Sequence, residues 1–188
     1  MKFQARHLPL LCSGLATLFA GSVWSDPPRA ITPAAATSAS PLSTRDAAFA
    51  DNAAAAQKFL KKNAKVKGVT TTASGLQYRI LQPGDQSAPS PRPTDLVSVR
   101  YRGTFLDGTE FDGSERHSGA APLAVNNLMK GWQEALVLMK PGSKWQLFVP
   151  PELGYGMGAR RNVPGGSLLI FEIELMSVKP PPVPPQTQ

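Results

Sequence analysis

From Leu76 onward, apolar and polar residues trade places along the chain in the period-two pattern of half-buried strands. Leu76, Tyr78 and Ile80 alternate with Gln77, Arg79 and Leu81 up to a Pro83-Gly84-Asp85 break. After a Pro-rich loop, Val97, Val99, Tyr101 and Phe105 alternate with Ser98, Arg100, Arg102 and Thr104. This is the clearest strand in the chain. Asp107-Gly108 then predicts a hairpin, because both residues tolerate positive φ, with Thr109 to Phe111 returning. Trp145, Leu147 and Val149 predict another strand. Leu169, Phe171, Ile173 and Leu175, set against Ile170, Glu172, Glu174 and Met176, predict the last. Between them Trp132, Ala135, Leu136 and Met139 recur at helical spacing, and Pro141-Gly142 stops the run. One short helix facing several antiparallel strands predicts an α+β domain, with the helix filling the concave side of a twisted sheet.

Upstream the period changes. Thr44 can cap a helix running to about Lys62, whose apolar stripe is Phe49, Ala53, Ala56 and Leu60. The stripe is thin, so it is expected to dock on the domain or on a partner helix; monomer and homodimer both stay open. Lys65 to Thr72 reads as a polar connector. Residues 26–43 are Pro, Ala, Ser and Thr with almost no large apolar group, which predicts a disordered spacer. Before them, Lys2 and Arg6 precede an apolar run from Leu8 to Ala20, and Val23-Trp24-Ser25 offers a small residue at a cleavage position. That reads as an export leader cut after Ser25, an uncleaved anchor being the alternative. Cys12 follows Pro9-Leu10-Leu11, which lacks the small residue that lipoprotein processing wants. The expected organisation is a leader at 1–25, a spacer at 26–43, a helix and connector at 44–69, a domain at 70–179 and a Pro-rich tail at 180–188.

Composition then narrows the chemistry. Cleavage would remove the only cysteine, together with His7, and leave His117 as the single histidine. Nucleophilic triads need a base beside Ser or Cys, and zinc sites want several His or Cys ligands. Neither fits such a chain. The formal charge of +7 would fall by two, to +5, on loss of Lys2 and Arg6. The basic residues read as scattered (Lys61-Lys62, Arg100, Arg102, Arg160-Arg161), a pattern of solubility rather than a nucleic-acid footprint.

The segments VRYRGTFLDGTEFDGS, LMKGWQEALVLMKPGSKWQLFVPPELGYG and LLIFEIELMSV closely resemble the FKBP-type peptidyl-prolyl isomerases. SGLQYRIL and the helix before it resemble the exported bacterial Mip-like branch. The likeness covers about residues 70–179. It implies a half-barrel, a five- or six-stranded antiparallel sheet wrapped on one helix, with an apolar pocket between them. Carried over by motif, Tyr101 and Phe111 form one wall, Asp112 the rim, Trp132 the floor and Phe171 the far side, while Tyr155 presents a phenol to substrate backbone. Leu128 and Met129 line the pocket, and Val163 falls at an apolar loop position before proline. Leu123 stands where the family often has an aromatic. Arg116 or His117 would partner Asp112. Singly, each residue has a plainer reading, as core or as a turn; the joint pattern favours the pocket. The activity implied is rotation about X–Pro bonds, with no metal, cofactor or covalent intermediate. Proline-containing unfolded polypeptides are the expected partners, and macrolide inhibitors are further candidate ligands. A non-catalytic holdase using the same pocket and the N-terminal helix is the alternative.

Overall fold

The computed structural model describes residues 44–117, 119, 122–160 and 162–181. The expected leader, the spacer and residues 182–188 of the tail lie outside them. The elements run α1 (Thr44–Asn63), β1 (Val69–Thr71), β2 (Gln77–Gln82), β3 (Leu96–Thr104), β4 (Glu110–Gly113), β5 (Pro122–Ala124), α2 (Lys130–Leu138), β6 (Lys144–Val149) and β7 (Leu169–Lys179). Single-turn helical segments sit at Ser114–His117, Val125–Asn127 and Pro151–Leu153. No described helix is long and apolar enough to cross a membrane.

The strands form one antiparallel sheet in the order β1-β2-β6-β7-β3-β4, and β5 shares with β4 the outer edge of β3. The centre is the pair β3–β7, registered from Leu96↔Lys179 to Thr104↔Ile170 with a bulge between Ser98 and Val99. The expected alternation holds here. Val97, Val99, Ile173 and Leu175 are buried on the inner face, and Trp145, Leu147 and Val149 of β6 continue it. α2 lies across this face and buries Trp132, Ala135 and Leu136, with Met139 at its C-terminal end. The β3–β4 connection follows the Asp107-Gly108 signal: Gly108 has φ +86, and the Phe105 amide bonds the Thr109 carbonyl at 2.9 Å.

Three expectations need correction. The connector read at Lys65–Thr72 contains β1, whose Val69, Thr70 and Thr71 pair with Arg79, Tyr78 and Gln77. The segment Pro122–Ala124 forms a strand that no periodicity signalled. Ile80 is 51% exposed instead of inward. It lies opposite Trp145, but Tyr78 already stacks on that indole at 4.3 Å and 14°, so Ile80 is left at the edge.

The N-terminal helix docks on the domain. α1 is Ala-rich, with Asp46 in its first turn and Lys61 and Lys62 in its last, as the helix dipole favours. In proteins most helical stability comes from tertiary contacts rather than from propensity. Those contacts come from one face: Phe49, Asn52, Ala53, Ala56, Phe59, Leu60 and Asn63 are its less exposed positions. Phe59 meets Phe148 at 5.7 Å between ring centroids. Phe148 lies between the inward positions Leu147 and Val149 of β6, and is nevertheless only 5% exposed. Asn63 Nδ2 donates to Gln77 Oε1 at 2.9 Å, and Gln77 Nε2 donates to the Leu60 carbonyl at 3.0 Å. These bonds satisfy two amides that the helix and β2 bury between them.

Candidate functional site

Trp132 is the third residue of α2, and the helix sets its indole, 4% exposed, against the sheet. The Tyr101 ring from β3 meets it edge-on at 5.0 Å and 82°, and the Phe171 ring from β7 does so at 5.2 Å and 88°. Phe111 from β4 stands on Phe171 at 5.5 Å and 79°, backed by Phe105 at 4.8 Å. Edge-to-face contacts of this kind hold rings rigidly, at about 0.5–1.5 kcal/mol each beyond area burial. The arrangement needs Gly103 on β3. A Cβ there would lie 2.8 Å from Phe111 Cζ and 2.8 Å from Phe171 Cε1.

These rings line an open cavity of about 610 Å³. All ten residues expected from the sequence line it: Tyr101, Phe111, Asp112, Trp132, Tyr155 and Phe171, with Leu123, Leu128, Met129 and Val163. Asn127, Gly154, Arg160 and Asn162 also line it and were not expected. They lie in loops, where no periodicity points at a cavity. Leu128 and Met129 are placed by the turn before α2, where Gln133 Nε2 donates to the Leu128 carbonyl at 2.7 Å. The indole Nε1 of Trp132 is buried with no hydrogen-bond acceptor among the described residues.

The polar rim centres on Asp112. Its Oδ2 accepts from the Tyr101 hydroxyl at 3.1 Å, and its Oδ1 accepts from the Gly113 amide at 2.9 Å. The same Oδ1 lies 2.9 Å from His117 Nε2, an ion pair when the imidazole is protonated. Between the two expected partners, the structure places His117 on Asp112 and Arg116 on Glu110, at 3.4 Å. Glu110 also takes Arg102 at 2.7 Å, and that bond leads the causes holding its carboxyl below the usual range. Burial, followed by the charge of Asp112 and the bond to it, pushes the Tyr101 phenol up to about 12. At neutral pH Tyr101 is therefore a donor fixed on Asp112. Tyr155 has the Arg160 guanidinium 5.6 Å from its ring centroid, and among the described residues no hydrogen bond engages its hydroxyl.

Chemically this is an open cleft with aromatic walls and floor, and phenol, carboxylate and imidazole groups at its mouth. It can bury a small apolar ring and hold a neighbouring carbonyl by hydrogen bonds. Among the described residues no group of three or more His, Cys, Asp or Glu side chains is placed to hold a metal ion.

The family model described as "FKBP-type peptidyl-prolyl cis-trans isomerase" matches residues 88–176, and "Domain amino terminal to FKBP-type peptidyl-prolyl isomerase" matches residues 7–80. The chain is 45% identical over 131 residues to the FKBP-type 22 kDa peptidyl-prolyl cis-trans isomerase of Escherichia coli, which covers 69% of this chain and 63% of that one. It is 43% identical over 129 residues to the peptidyl-prolyl cis-trans isomerase Mip of Coxiella burnetii, covering 68% of this chain and 55% of that one. The chain thus spans less than two thirds of either relative. The crystal structure of FkpA from Escherichia coli superposes with a TM-score of 0.70 at 38% identity, over 73% of this chain and 64% of that one. A peptidyl-prolyl cis-trans isomerase from Pseudomonas syringae pv. tomato superposes with a TM-score of 0.64 at 32% identity, over 70% of this chain and 96% of that one.

Proposed function

Because the chain belongs to the FKBP-type peptidyl-prolyl cis-trans isomerase family, we propose that it accelerates rotation about X–Pro bonds of unfolded or partly folded polypeptides in this aromatic box. The observation that carries the proposal is the convergence of ten motif positions, from four strands, one helix and two loops, on one cavity with a perpendicular indole at its floor.

Resonance between the amide nitrogen and its carbonyl sets a rotation barrier of about 18–20 kcal/mol, so uncatalysed X–Pro exchange takes tens to hundreds of seconds. The twisted transition state has lost that resonance and much of its charge separation. An apolar, water-poor box therefore suits it better than the planar ground state. Preferential stabilisation by about 5–7 kcal/mol would speed exchange by roughly four to five orders of magnitude. Trp132, Phe111, Tyr101 and Phe171 hold the proline ring, and Leu123, Leu128, Met129 and Val163 extend the apolar wall. The Tyr155 hydroxyl donates to a substrate carbonyl and fixes one side of the bond while the other turns. Asp112, held by Tyr101 and His117, orders the rim and faces the twisting carbonyl.

The holdase alternative leans in part on the thin N-terminal stripe as a grip for unfolded chains. That stripe is turned onto the chain's own domain, which favours the isomerase. The same docking favours a chain whose α1 is not a dimer contact. We place the protein outside the cytoplasm, on the leader-like residues 1–25 and on a 41%-identical relative in Legionella longbeachae that is called outer membrane protein MIP.

A protease-coupled assay on an X-Pro peptide tests the reading. Folded protein should raise the rate far above background, and a background rate would overturn it. Tyr155→Phe and Asp112→Ala should each lower turnover about three- to tenfold, the worth of one hydrogen bond. Trp132→Ala should also weaken peptide binding.

A further inference from the structure

The connection between β6 and β7 carries Tyr155, Arg160, Asn162 and Val163 on the cavity rim. It is pinched at a neck. The Gly166 amide bonds the Gly156 carbonyl at 3.0 Å, and Arg160 and Val163 exchange two backbone bonds of 2.9 Å. A Cβ on Gly165 would lie only 1.9 Å from the Met157 carbonyl oxygen, so two backbones touch there with no side chain between. Tyr155 and Val163 therefore stand close to either side of one narrow closure.

The outer side of that neck is covered by α1. Asn52 Nδ2 donates to the Gly165 carbonyl at 3.0 Å, across 113 residues of sequence. Cβ atoms on Gly165 and Gly166 would lie 2.9 Å from Phe49 Cδ2 and 2.2 Å from the Phe49 carbonyl oxygen, so helix and loop are in close contact. The C-terminal half of α1 rests elsewhere, with Phe59 on Phe148 of the sheet. One helix thus makes two separable contacts, and only the first reaches the loop that holds Tyr155.

We propose that the first half of α1 is a positioning element for the pocket rim, with Asn52 as the positioning residue that keeps Tyr155 and Val163 in their binding arrangement. This rests on the isomerase reading above. Each open state of this loop withholds the binding-competent rim from substrate. The Asn52 bond closes the neck from outside. Its loss should appear in affinity more than in the turning step.

The full chain carrying Asn52→Ala, or Asn52→Asp with the same size but no donor, tests this. Amide hydrogen exchange across residues 154–166 should accelerate about three- to tenfold in both variants. KM for the X-Pro peptide should rise by a similar factor, with kcat within about twofold of the parent. Phe59→Ala serves as the control. It should lower the melting temperature and leave loop exchange and KM unchanged. Loop exchange unchanged in both Asn52 variants would overturn the proposal, and so would faster exchange with unchanged KM. A parent protein with no turnover would remove the isomerase reading instead; the exchange measurement would still decide whether α1 holds the loop.

Discussion

The phenol of Tyr101 shows how one side chain reports its surroundings. Its ordinary pKa is 10.0, and burial beside the Asp112 carboxylate raises it to about 12. The folded protein therefore holds the phenolic proton more tightly than the unfolded chain does. Stabilisation from this group is complete below pH 10, and it is lost as pH rises toward 12. The chain has three tyrosines, Tyr78, Tyr101 and Tyr155. A spectrophotometric titration should show a last phenolate step near pH 12 that disappears in Tyr101→Phe. Persistence of that step in the variant would mean that Asp112 and burial do not govern Tyr101. At the same scale, His117 takes the place on Asp112 that the sequence left open between two neighbours. The choice follows from Glu110, which draws Arg116 and Arg102 to itself. Side-chain competition of this kind is settled by which carboxylate is nearer, and sequence spacing alone does not carry that.

At the scale of elements, α1 covers one side chain of β6, Phe148, that lies between two inward positions. Phe148 owes its burial partly to Phe59, so Phe148→Ala should cost about 2–4 kcal/mol in chemical denaturation. Ile80→Ser, at a side chain that is 51% exposed, should stay within about 0.5 kcal/mol. Equal costs at the two sites would contradict the docking of α1. The strands of the sheet's centre were legible because Val97, Val99, Tyr101, Trp145, Leu147, Ile173 and Leu175 recur at every second position, mostly against polar neighbours. Ile80 shows the limit of that pattern. Period two tells which face a residue points to, and not whether anything covers that face. Val69–Thr71 and Pro122–Ala124 are too short to display a period at all, and register with β2 and β3 makes them strands. The site was legible where residues sit beside Gly-Trp, Phe-Asp or Gly-Tyr-Gly. Asn127, Arg160 and Asn162 were not, because they reach the cavity from two irregular segments that carry no periodic signature.

At the scale of the molecule, the sheet is held together by its most distant parts. The central pair joins Leu96 to Lys179, and Phe171 from that last strand closes the cavity. β6 and β3 are not paired with each other: β7 lies between them in the sheet order. Contacts of such long sequence separation form late and slow folding. A chain ending at Leu168 should show no cooperative thermal transition by circular dichroism, although it retains both α-helices and six of the seven strands. A sharp transition in that shortened chain would mean that the remaining strands hold a sheet on their own. β7 is thus the keystone of the sheet: without it the β1-β2-β6 strands and the β3-β4-β5 strands are two unjoined groups, and the sheet closes only when that one strand has paired with both.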